Sequence, residues 1–469
     1  MEVGPEAPKP SLWASIREAI RGSEQDYTQG DLGRSILLLA IPMVLEMVME
    51  SLFAVVDAFF VASLGTSAIA AVALTESLLT IIYGVAVGLA MATTAMVARR
   101  IGERDPDGAS VAAVQAILLG VVFSVGTAAL GVIFAPDLLR LMGGDATVVE
   151  TGKGFTRMLF GGSVTIFLLF LNNAIFRGAG DAAIAMRALW FANIINIILN
   201  PCLILGLGPF PQLGLLGSAV GTTIGRGCGV LFQFWVLFGG MSRISVNARQ
   251  VRVNLEVLLR LLRVSFTGIL QFLVSSASWI GLVRVISGFG SSALAGYMIA
   301  IRVIIFSILP AWGLCNAAAT LVGQNLGAGN PDRAEKSVYR AGFYNMIFLG
   351  TLAIGFIALA GPILRLFTTD PEVVSYGVGC LRFISYGYVF YAWGMVIVQA
   401  FNGAGDTWTP TVINFACQWV FQIPLAWFLA FPAGMGATGV FVAITIAESL
   451  LAVVGLWLFR RGRWKVQKI

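Results

Sequence analysis

The sequence predicts an all-α integral membrane protein, with 12 transmembrane helices in two parallel six-helix repeats. Composition is the first reason: 58% of the 469 residues are hydrophobic and 12% charged, against about 25% charged in a soluble domain. The second is a series of apolar runs, each near the ~20 residues that cross a bilayer. They begin near residues 35, 68, 110, 155, 184 and 214, then near 264, 293, 340, 378, 410 and 436. The third is that the later six echo the earlier six.

The chain divides accordingly. Residues 1–33 are polar and Pro-rich without a leading apolar core, so a cleavable signal peptide is not expected. Within them "SLWASIREAIR" reads equally as a short helix on the inner membrane surface or as a disordered tail. Residues 34–240 hold helices 1–6, the N-lobe. Residues 241–262 form a basic, partly amphipathic cytoplasmic linker ("VNLEVLLRLLR") expected to run along the membrane. Residues 263–460 hold helices 7–12, the C-lobe, and 461–469 are a basic tail.

The repeat has a fixed register. "FRGAGDA" from Phe176 returns as "FNGAGDT" from Phe401; "IGERDPDGA" from Ile101 as "LGAGNPDRA" from Leu326; "SLGTSAIAA" from Ser63 as "GFGSSALAG" from Gly288; "LLRLMGGDATVV" from Leu138 as "ILRLFTTDPEVV" from Ile363. All four are 225 residues apart. In the last two helix pairs the offset shortens to 222, with Gly217 matching Gly439. Six helices is an even number, so both halves enter from one side and the repeats are parallel.

Orientation follows from the basic residues. Arg17, Arg21, Arg34, Arg99, Arg100, Arg104, Arg243, Arg333, Lys336 and the tail "RRGRWKVQK" fall on one side; little beyond Arg140, Lys153, Arg157, Arg365 and Arg382 falls on the other. Both termini are therefore expected in the cytoplasm, with the protein multi-pass in the plasma (inner) membrane. The net charge of +6 is a topology signal, and nucleic acid is excluded as a partner.

Charge inside the spans carries the functional signal. "IPMVLEMVMESLFAVVDAFF" places Glu46, Glu50 and Asp57 on one face of the first span, where each acid costs about 2.5–3.5 kcal/mol to insert. Pro42 on the same stripe should bend that helix. Glu76 on the second span should reach the depth of Asp57. Asn196 and Asn200 on the fifth and Thr222 on the sixth complete an oxygen-rich set suited to a proton or a hard cation. Arg226 could neutralise one of the acids. In the second half the counterparts of Asp57 and Glu76 are Leu282 and Ile301, and Arg226 corresponds to Glu448. There Arg302 and Glu448 read as a structural ion pair. The chain has no histidine, and its five cysteines lie in apolar segments without metal spacing. No Walker motif is present, which speaks against ATP-driven pumping. "GFGSSALAG" lies in an outer loop without strands and is not a dinucleotide site. The glycines and aspartates of the two GAGD loops read as tight turns, with Asp181 and Asp406 as helix caps.

With "IPMVLE…VVDAFFVASLGTSAIAAVAL" in the first hairpin and "RGAGD" echoed by "NGAGD", residues 30 to 460 resemble the multidrug and toxic compound extrusion (MATE) family. The resemblance implies two lobes forming a V-shaped cleft. It implies secondary antiport, in which H⁺ or Na⁺ drives export of amphipathic, mostly cationic small molecules, with no cofactor and no enzymatic step. Cation coupling by the first-helix acid carries onto Asp57, with a Na⁺ site at Asp57, Asn196 and Asn200. The family's acid before the fifth-helix proline is here Asn200, ahead of Pro201, a departure that weakens the anionic site; Glu76 or Glu50 would restore the charge. The drug-like substrate would occupy the cleft near Met43, Met47, Tyr83, Gln271 and Trp312, and the chain would work as a monomer among membrane lipids. The alternative cargo is a lipid-linked saccharide, carried by a flippase of the related superfamily, which calls for a more basic cleft. An intramembrane enzyme lacks the histidine or clustered cysteine it would need.

Overall fold

Why the chain breaks into helices where it does is visible at the caps. In the computed structural model, which describes residues 11–469 apart from 24, 248 and 468, the side chains of Asp31, Asp105, Asp145, Asn254 and Asp370 each accept a backbone N–H of the first turn that follows. After a short α1 (Leu12–Arg21), the first half comprises α2 (Leu32–Ala62), α3 (Thr66–Gly102), α4 (Pro106–Leu141), α5 (Ala146–Gly161), α6 (Ser163–Ala179), α7 (Ala182–Leu205) and α8 (Leu215–Phe238). The second comprises α9 (Leu255–Ile286), α10 (Ser291–Gly327), α11 (Pro331–Arg365), α12 (Pro371–Tyr386), α13 (Tyr388–Ala404), α14 (Trp408–Asn414), a π-helical stretch Phe415–Gln422, α15 (Ile423–Ala430) and α16 (Ala437–Arg460). The part of the expected linker from Leu255 onward is thus already the start of α9.

Among the described residues, ten helices long and apolar enough to cross a membrane are uninterrupted, α14 to α15 counting as one, and two more are bent pairs: α5 with α6 by 42°, α12 with α13 by 60°. Together they make twelve. Both bends fall at repeat-related glycines, Gly162 and Gly387, each facing a threonine of the lobe's last helix, Thr223 or Thr445. Thr445 Oγ1 donates to Phe383 O (2.7 Å), a carbonyl in the last turn of α12. The loss of three residues from the repeat also has a location. α7 and α15 end 225 residues apart, at Leu205 and Ala430, whereas α8 and α16 begin 222 apart, at Leu215 and Ala437. The shortening therefore sits in the loop rather than in the fifth helix.

The halves meet reciprocally. A Cβ on Gly102 would stand 2.0 Å from Gln324 O, and one on Gly327 would stand 2.1 Å from Arg99 O. These are the same contact in both directions at the 225-residue offset. Likewise a Cβ on Gly88 would lie 2.5 Å from the backbone of Ile269, and one on Gly313 2.6 Å from that of Met43. Two pairs of crossing helices, α3 with α9 and α10 with α2, are thus related by a pseudo-twofold axis. Only glycine allows backbones this close. At the end of α3 the repeat is imperfect: Arg104 holds φ 58° where its counterpart is Gly329 (φ 73°), a conformation that costs a non-glycine residue about 1–2 kcal/mol.

The end of the molecule that carries α1 and the carboxyl tail is tied across the two halves. α1 packs on α2 and α7, with Arg34 on Glu18 (2.6 Å) and Arg187 donating to Ile20 O and Arg21 O. In the arm that follows, Arg243, in the stretch after α8, donates to Ser23 O and Gln25 O, and Arg333 of the second half to Gly30 O and Gln29 O. The carboxyl tail does the same, Lys465 pairing with Glu335 (2.5 Å) while Gln467 O accepts from Arg99. Asp181 does not cap α7; it accepts from Ser242 Oγ and Arg243 N. Asp406 accepts from Thr409 N three residues on, as a cap does.

Candidate functional site

A ladder of polar contacts joins α2, α7 and α8. On α7, Asn193, Asn196 and Asn200 fall along one stripe, and on α8 so do Ser218, Thr222 and Arg226, at intervals of four. Asp57 Oδ1 accepts from Asn200 Nδ2 (2.6 Å) and Ser218 Oγ (2.9 Å). One level further in, Asn196 Nδ2 donates to Thr222 Oγ1 (2.8 Å), and Asn193 Nδ2 to Glu50 Oε2 (3.1 Å). Glu46 ends the ladder: its Oε1 accepts from Asn173 Nδ2 (3.0 Å) and faces Arg177 at 3.4 Å, while Gln233 donates to Asn173 Oδ1. The other side of α2 carries the exposed Leu52, Val55 and Phe59, so the three acids face protein and the apolar stripe faces outward.

The acids differ in what neutralises them. Glu46 is fully buried with a guanidinium beside it. Asp57 is held by an amide and a hydroxyl alone and, among the described residues, forms no ion pair. Arg226 turns instead to Tyr83, donating to its hydroxyl at 3.0 Å. The carbonyl oxygens of Asn196 and Asn200 are buried without a hydrogen-bond donor. An anionic oxygen beside two unfilled amide oxygens is an environment in which a small cation or a proton gains several ligands.

Above the crossing of Gly102 with Gln324 lies a cavity of about 220 Å³ between the halves. Glu46, Glu50, Arg177 and Arg226 line it from the first half, and Trp312, Asn316, Gln399 and Asn402 from the second. Of the residues expected in the cleft, Met47 and Trp312 line this cavity. Tyr83 packs on its wall, 5.9 Å from Phe170 between ring centres. Met43 does not line it: it is fully buried where α2 crosses α10 at Gly313. Gln271, on α9, is likewise buried in helix packing.

Two further expectations are corrected. Glu76 is exposed on α3 and shares no hydrogen bond with Asp57, because α2 leans on α7 and α10 and barely touches α3; Asp57 and Arg302 act on it only through space. The Arg302–Glu448 pair is not formed. Arg302 is exposed on α10, and Glu448 Oε1 accepts from Gln418 Nε2 at 3.4 Å. Sequence reasoning missed Asn193 and Ser218, each one turn from a residue it singled out. It also missed Arg177 and its repeat counterpart Asn402, which precede the two GAGD turns that it read as purely structural.

The MatE family profile matches residues 42–202 and 266–428, one segment in each half. The chain is 28% identical over 452 residues to a probable multidrug resistance protein, YoeA, of Bacillus subtilis (strain 168), covering 95% of this chain and 97% of that one. It is 25% identical over 433 residues to an FAD transporter of Shewanella oneidensis, covering 92% and 95%. Among solved structures it is similar to an outward-facing conformation of a multidrug resistance MATE family transporter of the MOP superfamily, with TM-score 0.88, 27% identity and coverage of 94% and 98%.

Proposed function

The chain belongs to the MatE family, and from that premise we propose that it is a secondary antiporter exporting amphipathic, cationic small molecules in exchange for H⁺ or Na⁺. The observation that carries the reading is Asp57, whose carboxylate is held by neutral donors with no fixed cation. A mobile ion can then supply the positive charge. In this reading the ion binds among Asp57, Asn200 and Asn196, and its arrival changes how α2 sits on α7 and α8. Because one shape binds the ion better than the other, the gradient drives the exchange between shapes. Rocking of the halves about the Gly88 and Gly313 crossings provides alternating access. With both termini in the cytoplasm of a cell whose plasma membrane it spans, the closed terminal end makes the present shape outward-facing, in keeping with its likeness to the outward-facing relative.

The cargo would occupy the cavity between the halves. Met47, Met91, Phe170 and Trp312 give it soft apolar walls that adapt to varied ligands. The guanidinium of Arg177 is already committed to Glu46, and that of Arg226 to Tyr83. Glu50 is hydrogen-bonded by Asn193 and shares the cavity with Arg226, whose charge acts on it through space. The test is export of a cationic dye from proteoliposomes under an imposed ΔpH and, separately, an imposed ΔNa⁺. One gradient alone should drive accumulation; equal export without either would remove antiport.

A further inference from the structure

The unformed ion pair of the second half leaves a carboxylate without a countercharge. Glu448 on α16 lines a cavity of about 360 Å³ that lies wholly among second-half helices, within the range of small-molecule sites. Its walls are aromatic: Trp279, Tyr297, Trp312, Tyr388 and Tyr391. Among the described residues, the sole hydrogen bond to the Glu448 carboxylate is the long one from Gln418, and it forms no ion pair. A second polar group on the same wall is also unanswered: the Tyr297 hydroxyl is buried without a partner, in a side chain 1% exposed.

The repeat supplies an internal comparison. At the matching position of the first half stands Arg226, which donates to the Tyr83 hydroxyl and has the carboxylates of Glu50 and Asp57 within electrostatic reach. In the second half the sign is reversed and space is left beside it. Two departures from regular helix also frame this cavity. Gly387, at the 60° break between α12 and α13, lines it, and the π-helical stretch Phe415–Gln422 presents Gln418 to Glu448. Irregular turns of this kind recur at functional sites.

We propose that this cavity is a second binding site, for an organic monocation with an apolar body, whose charge sits against Glu448 and whose body lies on the aromatic faces. A carboxylate enclosed by apolar walls gains most from a partner that brings positive charge without a large hydration cost, and aromatic faces add cation–π attraction. An anion would meet the carboxylate, and a neutral apolar molecule would leave it unanswered.

The inference rests on reading the chain as a carrier of cationic small molecules, but it concerns binding and is tested without transport. Binding of tetraphenylphosphonium to the purified full-length chain would be measured by equilibrium dialysis, with triphenylphosphine oxide as the neutral control. Glu448→Gln should weaken tetraphenylphosphonium about tenfold or more while melting like the wild type, and should leave the neutral control unmoved. Ile308→Trp, which fills the cavity without touching the charge, should weaken both. Unchanged affinity in Glu448→Gln or no saturable binding to the wild type would each overturn the proposal. Binding as expected in a protein that exports under neither gradient would sink antiport and leave this site standing.

Discussion

Asp57 and Glu46 lie on one helix face, 11 positions apart in the sequence, and are satisfied in opposite ways. Glu46 Oε1 is answered by Asn173 and Arg177, with Gln233 holding Asn173 in turn, while its Oε2 is buried without a hydrogen-bond partner. Removing one partner of such a buried group strands the others, typically at about 3–5 kcal/mol. Glu46→Ala should therefore lower the melting temperature in detergent markedly, and Glu46→Gln, which keeps an acceptor, should lower it less. Equal melting of all three proteins would show that the network does not hold the inner part of the lobe. Asp57 has no such committed cation, which is why it, and not Glu46, is assigned the ion. The first-helix stripe, the fifth-helix asparagines and Thr222 could be read ahead of the coordinates, because helical spacing fixes which side chains share a face. Ser218 was within reach by the same rule, one turn before Thr222. Glu76 shares no hydrogen bond with Asp57 because depth in a hairpin does not say which neighbour a helix leans against, and α2 leans on α7 and α10 rather than on α3.

At the scale of helices, the glycine crossings set the closed terminal end. Gly102→Ala would place a methyl 2.0 Å from Gln324 O, and Gly327→Ala one 2.1 Å from Arg99 O, distances no native packing tolerates. The double substitution should push the halves apart at this end. A cysteine in place of Thr94 or Ala319, the first lining the cavity beside its floor and the second doing so from the other half, should then react faster with a charged thiol reagent applied from the terminal side, by roughly tenfold for each 1.4 kcal/mol of shifted balance. Unchanged labelling in a folded double variant would mean that these crossings do not gate access. The repeat behind this symmetry was legible as four matching patches in one register. What was not legible is rotation about each helix axis. That is why Arg302 and Glu448, expected to balance as an ion pair, point to different places, Arg302 to the surface and Glu448 into an aromatic cavity.

At the scale of the whole molecule, the two halves are joined by crossings of small residues and by an arm and a tail that each touch both. Arg333 holds backbone oxygens of the arm from the second half, while Tyr27 of the arm donates to Gly180 O of the first, so Arg333→Ala should free the arm from one of them. Limited proteolysis should then cut between residues 23 and 31 several-fold faster, and an unchanged cutting rate would show the arm to be held by the first half alone. The described part of α1 was open in the sequence between an interfacial helix and a tail, because its contacts come from Arg187 and Arg34, far along or outside the segment. All of this scaffolding serves one proposition, that a mobile cation completes the charge of Asp57. The direct measurement is gradient-driven export of a cationic dye by proteoliposomes carrying Asp57→Asn beside the wild type. The account predicts that the variant melts normally, still binds the dye, and exports at the rate of empty liposomes; export at the wild-type rate under the same gradient would contradict it.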